Sequence, residues 1–276
     1  MTLLFLLTVA SSRAHRDLEI QVAELDGLIG EAPTAELHLR RADLLGRLLR
    51  PDEALMDLDA AATLGEDVSL QRALILSEAG RGEDARDLLD TVIATRPHWE
   101  AHRARARLRL GDGDTAGALA DYDAAVARHV DPDIVLERGG VAREVDLDRA
   151  ADGYLSALEE MGPAVVVELA AAEALRDAGR HDEARQILTA MMERSGPQPG
   201  WLLLRAEVSS PDSAHADRLA ALELARARFE KKPNDLNQLA IEEATAALAA
   251  EPRGCTHAPW GGLLAAPLLL LGRRRC

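Results

Sequence analysis

Two histidines in the stretch HWEAH have a spacing that suits metal chemistry. His98 and His102 would lie one turn apart on a helix, where two imidazole nitrogens can share a zinc ion. The metalloprotease motif HExxH, however, needs its glutamate base directly after the first histidine, and Glu100 stands one position too late. Pro97 also places His98 at a helix start. We predict no metal site here; a metal-binding protein or hydrolase that uses His98 and His102 is the alternative.

Closely spaced carboxylates occur in the stretches GDGDTAG and VDLD. Neither stretch has the D-x-D-x-D-G loop with a distant glutamate that calcium requires, so we interpret both as turns and helix N-caps. The sequence contains no G-x-S-x-G elbow, Walker loop or dinucleotide fingerprint. We therefore predict a protein that is not an enzyme, with no catalytic residues and no cofactor.

The composition favours close-packed helices. The chain of 276 residues is 47% hydrophobic but only 3% aromatic. Its formal net charge of −15 argues against a nucleic-acid partner, because proteins bind nucleic acids through lysine and arginine. Both cysteines, Cys255 and Cys276, lie near the C-terminus, so the rest of the chain must be stable through packing alone.

Small residues recur along the chain in two registers. One series, with spacings of 31 to 34 residues, consists of Ala54, Ala85, Ala118, Ala150 and Ala184. The other precedes it by 11 or 12 residues and consists of Ala42, Ala73, Ala106, Gly139 and Ala172. A period of this length is typical of stacked helix pairs. Small side chains in both registers would let the two helices of a pair approach to about 8–10 Å.

The residues around these series fit a helix hairpin. Four positions after each member of the first series stands a bulky side chain, namely Leu58, Leu89, Tyr122, Tyr154 and Leu188. Glycine or aspartate between the two series predicts a turn inside each hairpin. Prolines are expected to end the second helices at Pro97, Pro132, Pro163, Pro197 and Pro233.

One stretch makes a family resemblance specific. AGRHDEARQILTAMMERSGP, with Gly179, Ala184, Leu188 and its terminal proline, resembles the second helix of a tetratricopeptide repeat (TPR). The resemblance covers Ala35 to Pro197 as five repeats and extends to a degenerate sixth from Trp201 to Pro233. It implies an all-α fold, a right-handed α-solenoid of helix hairpins with a capping helix at each end. We expect the sixth repeat to be irregular, because SSPDSAHAD stands where a tight turn should be.

These features divide the chain into five segments. They are a signal peptide at 1–14, an N-terminal capping helix at 15–34, five repeats at 35–198, a degenerate sixth repeat with a C-terminal capping helix at 199–250, and a linker with an apolar tail at 251–276. The signal peptide is predicted from the apolar core Leu3 to Ala10 and the small residues after it. Because no lysine or arginine precedes that core, a buried first helix remains an alternative.

The C-terminal stretch CTHAPWGGLLAAPLLLLGRRRC combines a cysteine, an apolar run and an arginine cluster. As a helix the run would be about 22 Å long, too short for a hydrocarbon core of about 30 Å. The arrangement resembles a MYXO-CTERM-type bacterial sorting tail. The resemblance implies export, transient membrane retention, and processing or lipid attachment at Cys255, with Arg273, Arg274 and Arg275 as the basic end.

The first helices of TPR proteins line a concave groove, and the register of the small residues indicates which side chains face it. Four arginines are placed there: Arg103, Arg107, Arg143 and Arg176. They would either bind an acidic or extended peptide or pair with carboxylates of adjacent helices. The other side chains on this surface are Leu39, Asp43, Leu70, Leu74, Leu136, Leu169 and Glu173.

The sequence thus predicts a non-catalytic TPR scaffold that binds another protein in its groove. The tail and the signal predict export, with retention at the bacterial cell envelope or surface through the membrane. A cytoplasmic TPR adaptor is the alternative location.

Overall fold

The computed structural model describes the backbone of residues 2–250 and the side chains from residue 15 onward. This part of the chain contains helices and no strand. The helices are α1 (Thr2–Glu31), α2 (Ala35–Arg47), α3 (Pro51–Thr63), α4 (Ser69–Glu78), α5 (Gly82–Thr95), α6 (Trp99–Gly111), α7 (Thr115–Val126), α8 (Pro132–Val145), α9 (Leu147–Met161), α10 (Val165–Asp177), α11 (His181–Ser195), α12 (Pro199–Glu207), α13 (Pro211–Lys231) and α14 (Asp235–Ala249). Contacts divide the chain into two compact units, Met1–Gly196 and Pro197–Cys276.

The first unit consists of α1 followed by five helix hairpins. The hairpins pair α2 with α3, α4 with α5, α6 with α7, α8 with α9, and α10 with α11. Within this unit, α3, α5, α7 and α9 each also pack against the first helix of the next hairpin. The predicted all-α solenoid of hairpins is confirmed. Helix α1 packs on α2, and its backbone runs without a break through both the segment predicted as a signal peptide and most of the predicted capping helix.

Both series of small residues lie where the helices of a hairpin meet. All ten members are buried, and four alanines of the first-helix series and five of the second-helix series are at most 1% exposed. The bulky residues four positions after each second-helix alanine are buried as well. The period therefore reflects close helix packing, as the sequence predicts.

Glycine and aspartate form the turns inside the hairpins. Gly80, Gly113 and Gly179 have φ values of +76°, +80° and +75°, which glycine adopts without steric cost. Asp114 and Asp146 cap α7 and α9 by accepting hydrogen bonds from backbone N–H groups. The expectation that prolines end the second helices is wrong for Pro132. That proline is the first residue of α8, where its missing N–H has no intrahelical acceptor to lose.

Leu49 occupies the turn position that carries glycine in three other hairpins. It lies five residues before the buried Ala54, as Gly80 does before Ala85, and it has a φ of +58°. A residue with a Cβ is disfavoured in this left-handed region by about 1–2 kcal/mol. The Leu49 side chain is 83% exposed, so little apolar burial offsets the strain.

Replacing Leu49 with glycine is therefore expected to stabilise the protein by about 1 kcal/mol, after allowing for the extra freedom of glycine in the unfolded chain. Urea denaturation of both proteins measures the difference. Leu64→Gly is the matched control, because Leu64 is also exposed and ends a helix but has a φ of −88°. It should be neutral or destabilising; a gain of the same size in both variants would contradict the strain argument.

The second unit contains the hairpin of α12 and α13, with α14 packed against both helices. The sixth hairpin does have a tight turn, formed by residues 208–210, contrary to the expectation from SSPDSAHAD. Pro211 begins α13, and the buried small residue of this helix is Ala214, only eight positions after Ala206. The turn has three residues, as in four of the other hairpins, and α12 ends one residue after Ala206. The residue twelve positions before Ala214 is the buried Leu202, so the spacing fails because this first helix has a leucine in place of a small residue.

Candidate functional site

The first helices of the N-terminal hairpins line a continuous groove. Its cavities measure about 490 Å³ between α1, α2 and α4, about 250 Å³ between α2, α4 and α6, and about 110 Å³ between α4 and α6. The first two share Leu39 and Asp43, and the last two share Leu74 and Glu78. We call this surface the N-terminal groove.

Apolar side chains form the floor of the N-terminal groove, and charged side chains form its rim. Leu39 and Leu74 are half-buried, and Ile75 is buried between them in the central cavity. The rim carboxylates are Glu24, Asp43, Glu78 and Glu100, and the rim guanidinium groups are Arg40, Arg47, Arg103 and Arg107. Glu24 and Glu78 have no hydrogen bond or ion pair within residues 15–250. The central cavity, with Arg47 as its one basic side chain, is acidic.

The four arginines predicted to face the groove all have carboxylate partners. Arg103 and Arg107 of α6 both bind Glu137 of α8, with Nη2–Oε1 distances of 2.5 and 2.6 Å. Arg143 of α8 binds Asp177 and lies 3.6 Å from Glu173, both of α10. Arg176 donates from Nε to Asp177 Oδ1 at 2.9 Å. Three of them therefore link the first helices of successive hairpins.

Glu137 accepts hydrogen bonds from two of these arginines, Arg103 and Arg107. Burial raises the pKa of its carboxyl group, but the hydrogen bonds from Arg103 and Arg107 outweigh burial and lower that pKa to about 2. The hydroxyl of Tyr122 also donates to Glu137, at 3.0 Å. Since one carboxylate is shared by two guanidinium groups, it neutralises half of their charge, and the three side chains together keep a formal charge of +1.

His98 and His102 do not form a zinc pair. His98 is the N-cap of α6, and its Nδ1 accepts a hydrogen bond from the backbone N–H of Glu100. His102 is buried, with Nδ1 3.3 Å from Asp121 Oδ1. Burial lowers the pKa of His102, which favours the neutral ring. Within the described residues, no group of three histidine, cysteine or acidic side chains could hold a metal ion.

Two solved structures have the same arrangement of stacked hairpins. The Pseudomonas aeruginosa pilF protein aligns with a TM-score of 0.53 at 14% identity, over 77% of this chain and 96% of that one. The C-terminal part of a TPR repeat-containing protein from Cytophaga hutchinsonii aligns with a TM-score of 0.51 at 13% identity, over 85% and 90%. The fold is TPR-like. No protein-family model and no curated protein sequence matches the chain, and identities this low show the fold alone.

Two of the TPR-like hairpins contain the same buried polar cluster. In the first, Asp57 accepts hydrogen bonds from Arg41 at 2.6 and 2.7 Å and contacts His38 at 2.7 Å. In the third, Asp121 makes the same contacts with Arg105 and His102. Both histidine–aspartate pairs are 19 residues apart, and both arginine–aspartate pairs are 16 apart.

The arginines of these clusters belong to a longer series that we call the arginine ladder. Its members directly precede the small residue of each first helix and are Arg41, Arg72, Arg105 and Arg138 in the first unit. Each binds an aspartate of the helix before it, in turn Asp26, Asp59, Asp90 and Asp123. In α10 the ladder position holds Ala171, and α9 carries Leu155 in place of the aspartate.

The arginine ladder was not predicted, although the sequence contains a signal for it. An arginine stands at the same place in four of five TPR-like repeats, and where it is absent its aspartate partner is absent too. The small residue next to it dominates the pattern, so the arginine is easily taken for a solvated side chain.

The predicted tail residues Cys255, Arg273, Arg274 and Arg275 lie outside the described part of the chain. Among the helices that are described, none is both long enough and apolar enough to cross a membrane.

Proposed function

We propose that this TPR-like chain is a non-catalytic scaffold that binds an extended segment of another protein in the N-terminal groove. The observation that supports this is the row of adjoining cavities along α1, α2, α4 and α6, which has an apolar floor and a charged rim. A groove of this kind can hold alternate side chains of a peptide while its rim selects their charge.

The charge of the rim defines the partner. Glu24 and Glu78 are unpaired in the described structure, whereas Arg103 and Arg107 already share Glu137. The segment that complements this surface carries leucine-like side chains with a lysine or arginine among them. The aliphatic part of the basic side chain would pack on Leu39 and Leu74 while its charged end reaches Glu78.

A displayed library of random 12-residue peptides tests this proposal. Selected peptides should combine aliphatic residues with lysine or arginine, and Glu78→Lys should weaken their binding at least tenfold. Glu83→Lys is the matched control, because Glu83 is an exposed glutamate of α5 that does not line the groove. Peptides that are acidic, or that lose affinity equally with both variants, would contradict the proposal.

We also propose that the chain is exported and held at the bacterial cell envelope by its C-terminal tail. The support is the order of Cys255, the apolar run and Arg273 to Arg275, together with the apolar N-terminus. Mass spectrometry of the mature protein should find a shortened N-terminus and a chain that is cleaved or lipidated near Cys255. An intact N-terminus with an unmodified tail would favour a cytoplasmic TPR adaptor.

A further inference from the structure

A cavity of about 630 Å³ lies away from the groove, between α7, α8 and α9. Its charged side chains are the guanidinium groups of Arg138 and Arg149 and the carboxylates of Asp123, Asp146, Asp148, Asp152 and Glu160. We call it the Arg138 cavity, after the ladder arginine in its wall.

Elsewhere on the ladder, two arginines each hold two carboxylates. Arg105 binds Asp90 of the helix before it at 2.6 Å and Asp121 of its own hairpin at 2.7 Å. Arg41 likewise binds both Asp26 and Asp57. Asp57 and Asp121 stand three residues after the buried alanine of their second helix. Two of the four ladder guanidinium groups are thus matched by one carboxylate from each side, whereas Arg72 has Leu88 at the second place and binds Asp59.

Arg138 has the first of these carboxylates but not the second. Its Nε donates to Asp123 Oδ1 at 2.8 Å, and its Nη1 donates to the carbonyl oxygen of Arg149 at 3.2 Å. The position three residues after Ala150 is Gly153, which has no side chain to offer. A Cβ built on Gly153 would lie only 1.5 Å from Arg138 Nη1, so the guanidinium lies where that side chain would begin.

The guanidinium group therefore has unused donors beside an open volume. Arginine has five N–H donors, and only two of those of Arg138 have acceptors among the described residues. Its side chain is just 13% exposed, so solvent reaches it mainly through the cavity. An added carboxylate would satisfy two of the remaining donors in a fork.

The cavity is also lined by carboxylates that do not bind Arg138. Glu160 is exposed and has no partner in residues 15–250, whereas Asp148 and Asp152 are shared with Arg180. A ligand that carried only negative charge would be repelled there, but a cationic group on the same ligand would be attracted.

We propose that the Arg138 cavity binds an amino-acid-sized zwitterion, whose carboxylate accepts hydrogen bonds from the remaining N–H donors of Arg138 and whose ammonium group faces Glu160. The site is independent of the peptide groove and does not depend on the proposed function.

Nuclear magnetic resonance titration of the full chain tests this proposal, with the backbone amide of Ser156 as the reporter. β-Alanine and γ-aminobutyrate should each shift this signal saturably in the millimolar range. Sodium acetate should shift it with at least threefold weaker affinity, and ethylammonium chloride at the same ionic strength should not shift it saturably. Equal, non-saturating shifts with all four compounds would overturn the proposal.

Two variants test whether the ligand binds at the guanidinium group of Arg138. Gly153→Asp supplies the carboxylate from within the chain and should abolish the saturable shift, and Arg138→Gln should abolish it by removing the donors. Arg72→Gln is the matched control, because Arg72 is a ladder arginine that binds Asp59 and does not line the cavity. It should leave the affinity within twofold of the original. If Gly153→Asp does not fold, Arg138→Gln decides, and an unchanged titration in that variant would overturn the proposal.

Discussion

Replacement of Asp121 by alanine should lower the free energy of unfolding by about 3–5 kcal/mol. The Asp121 side chain is 4% exposed and accepts hydrogen bonds from both ends of the Arg105 guanidinium, at 2.7 and 2.9 Å. Arg109 Nη1 also lies 2.9 Å from Asp121 Oδ2. Without this carboxylate, Arg105 would keep only the exposed Asp90 as an acidic partner, and His102 would lose its contact as well. Urea denaturation monitored by circular dichroism measures the loss.

Asp90→Ala provides the control for the burial argument. Asp90 binds the same guanidinium at 2.6 Å, but its side chain is 60% exposed. Exposed ion pairs contribute about 0–1 kcal/mol, so this variant should lose no more than that. If both variants lost a similar amount of unfolding free energy, the argument from the burial of Asp121 would be contradicted.

Gly139→Ala should destabilise the protein by about 1–3 kcal/mol, although alanine is the better helix former by about 1 kcal/mol. Gly139 lies inside α8, and an added Cβ would come within 2.1 to 2.5 Å of ring atoms of Tyr154. The tyrosine ring is packed directly on the glycine backbone and is buried, so it cannot move without disturbing the core. Thermal unfolding would show the effect as a lower Tm.

A second substitution separates this clash from a general intolerance of change. The hairpins with leucine at the place of Tyr154 have alanine at the place of Gly139, as in the pairs Ala42 with Leu58 and Ala73 with Leu89. Tyr154→Leu should therefore reduce the penalty of Gly139→Ala, and the double variant should be more stable than the sum of the single losses predicts. Additive losses would mean that the two residues do not compete for the same space.

The hairpins were predictable because burial imposes a period on the sequence. A small residue is required wherever two helices cross, and Ala73, Ala106 and Ala172 satisfy that requirement at nearly constant spacing. The sixth hairpin escaped the pattern because its first helix has Leu202 twelve positions before Ala214, where the other first helices have alanine or glycine. A pattern of small residues cannot register a first helix that lacks one.

The chemistry of the groove was less predictable than its position. Whether Arg103 and Arg107 are free or paired depends on Glu137, which lies 30 or more residues away along the chain. The sequence left both interpretations open, since no local pattern tells which carboxylate a long side chain will reach. The Arg138 cavity was harder still, because it follows from the side chain that Gly153 lacks.

The arginine ladder also bears on how a chain of this kind can grow. Three of the arginines bind an aspartate of the neighbouring hairpin, and both residues recur at the same two places, as with Arg72 and Asp59 or Arg105 and Asp90. A gene duplication that inserted one further hairpin would bring along both halves of the contact, one for each new junction. A further hairpin can therefore be added without new contacts having to evolve at the junctions with its neighbours.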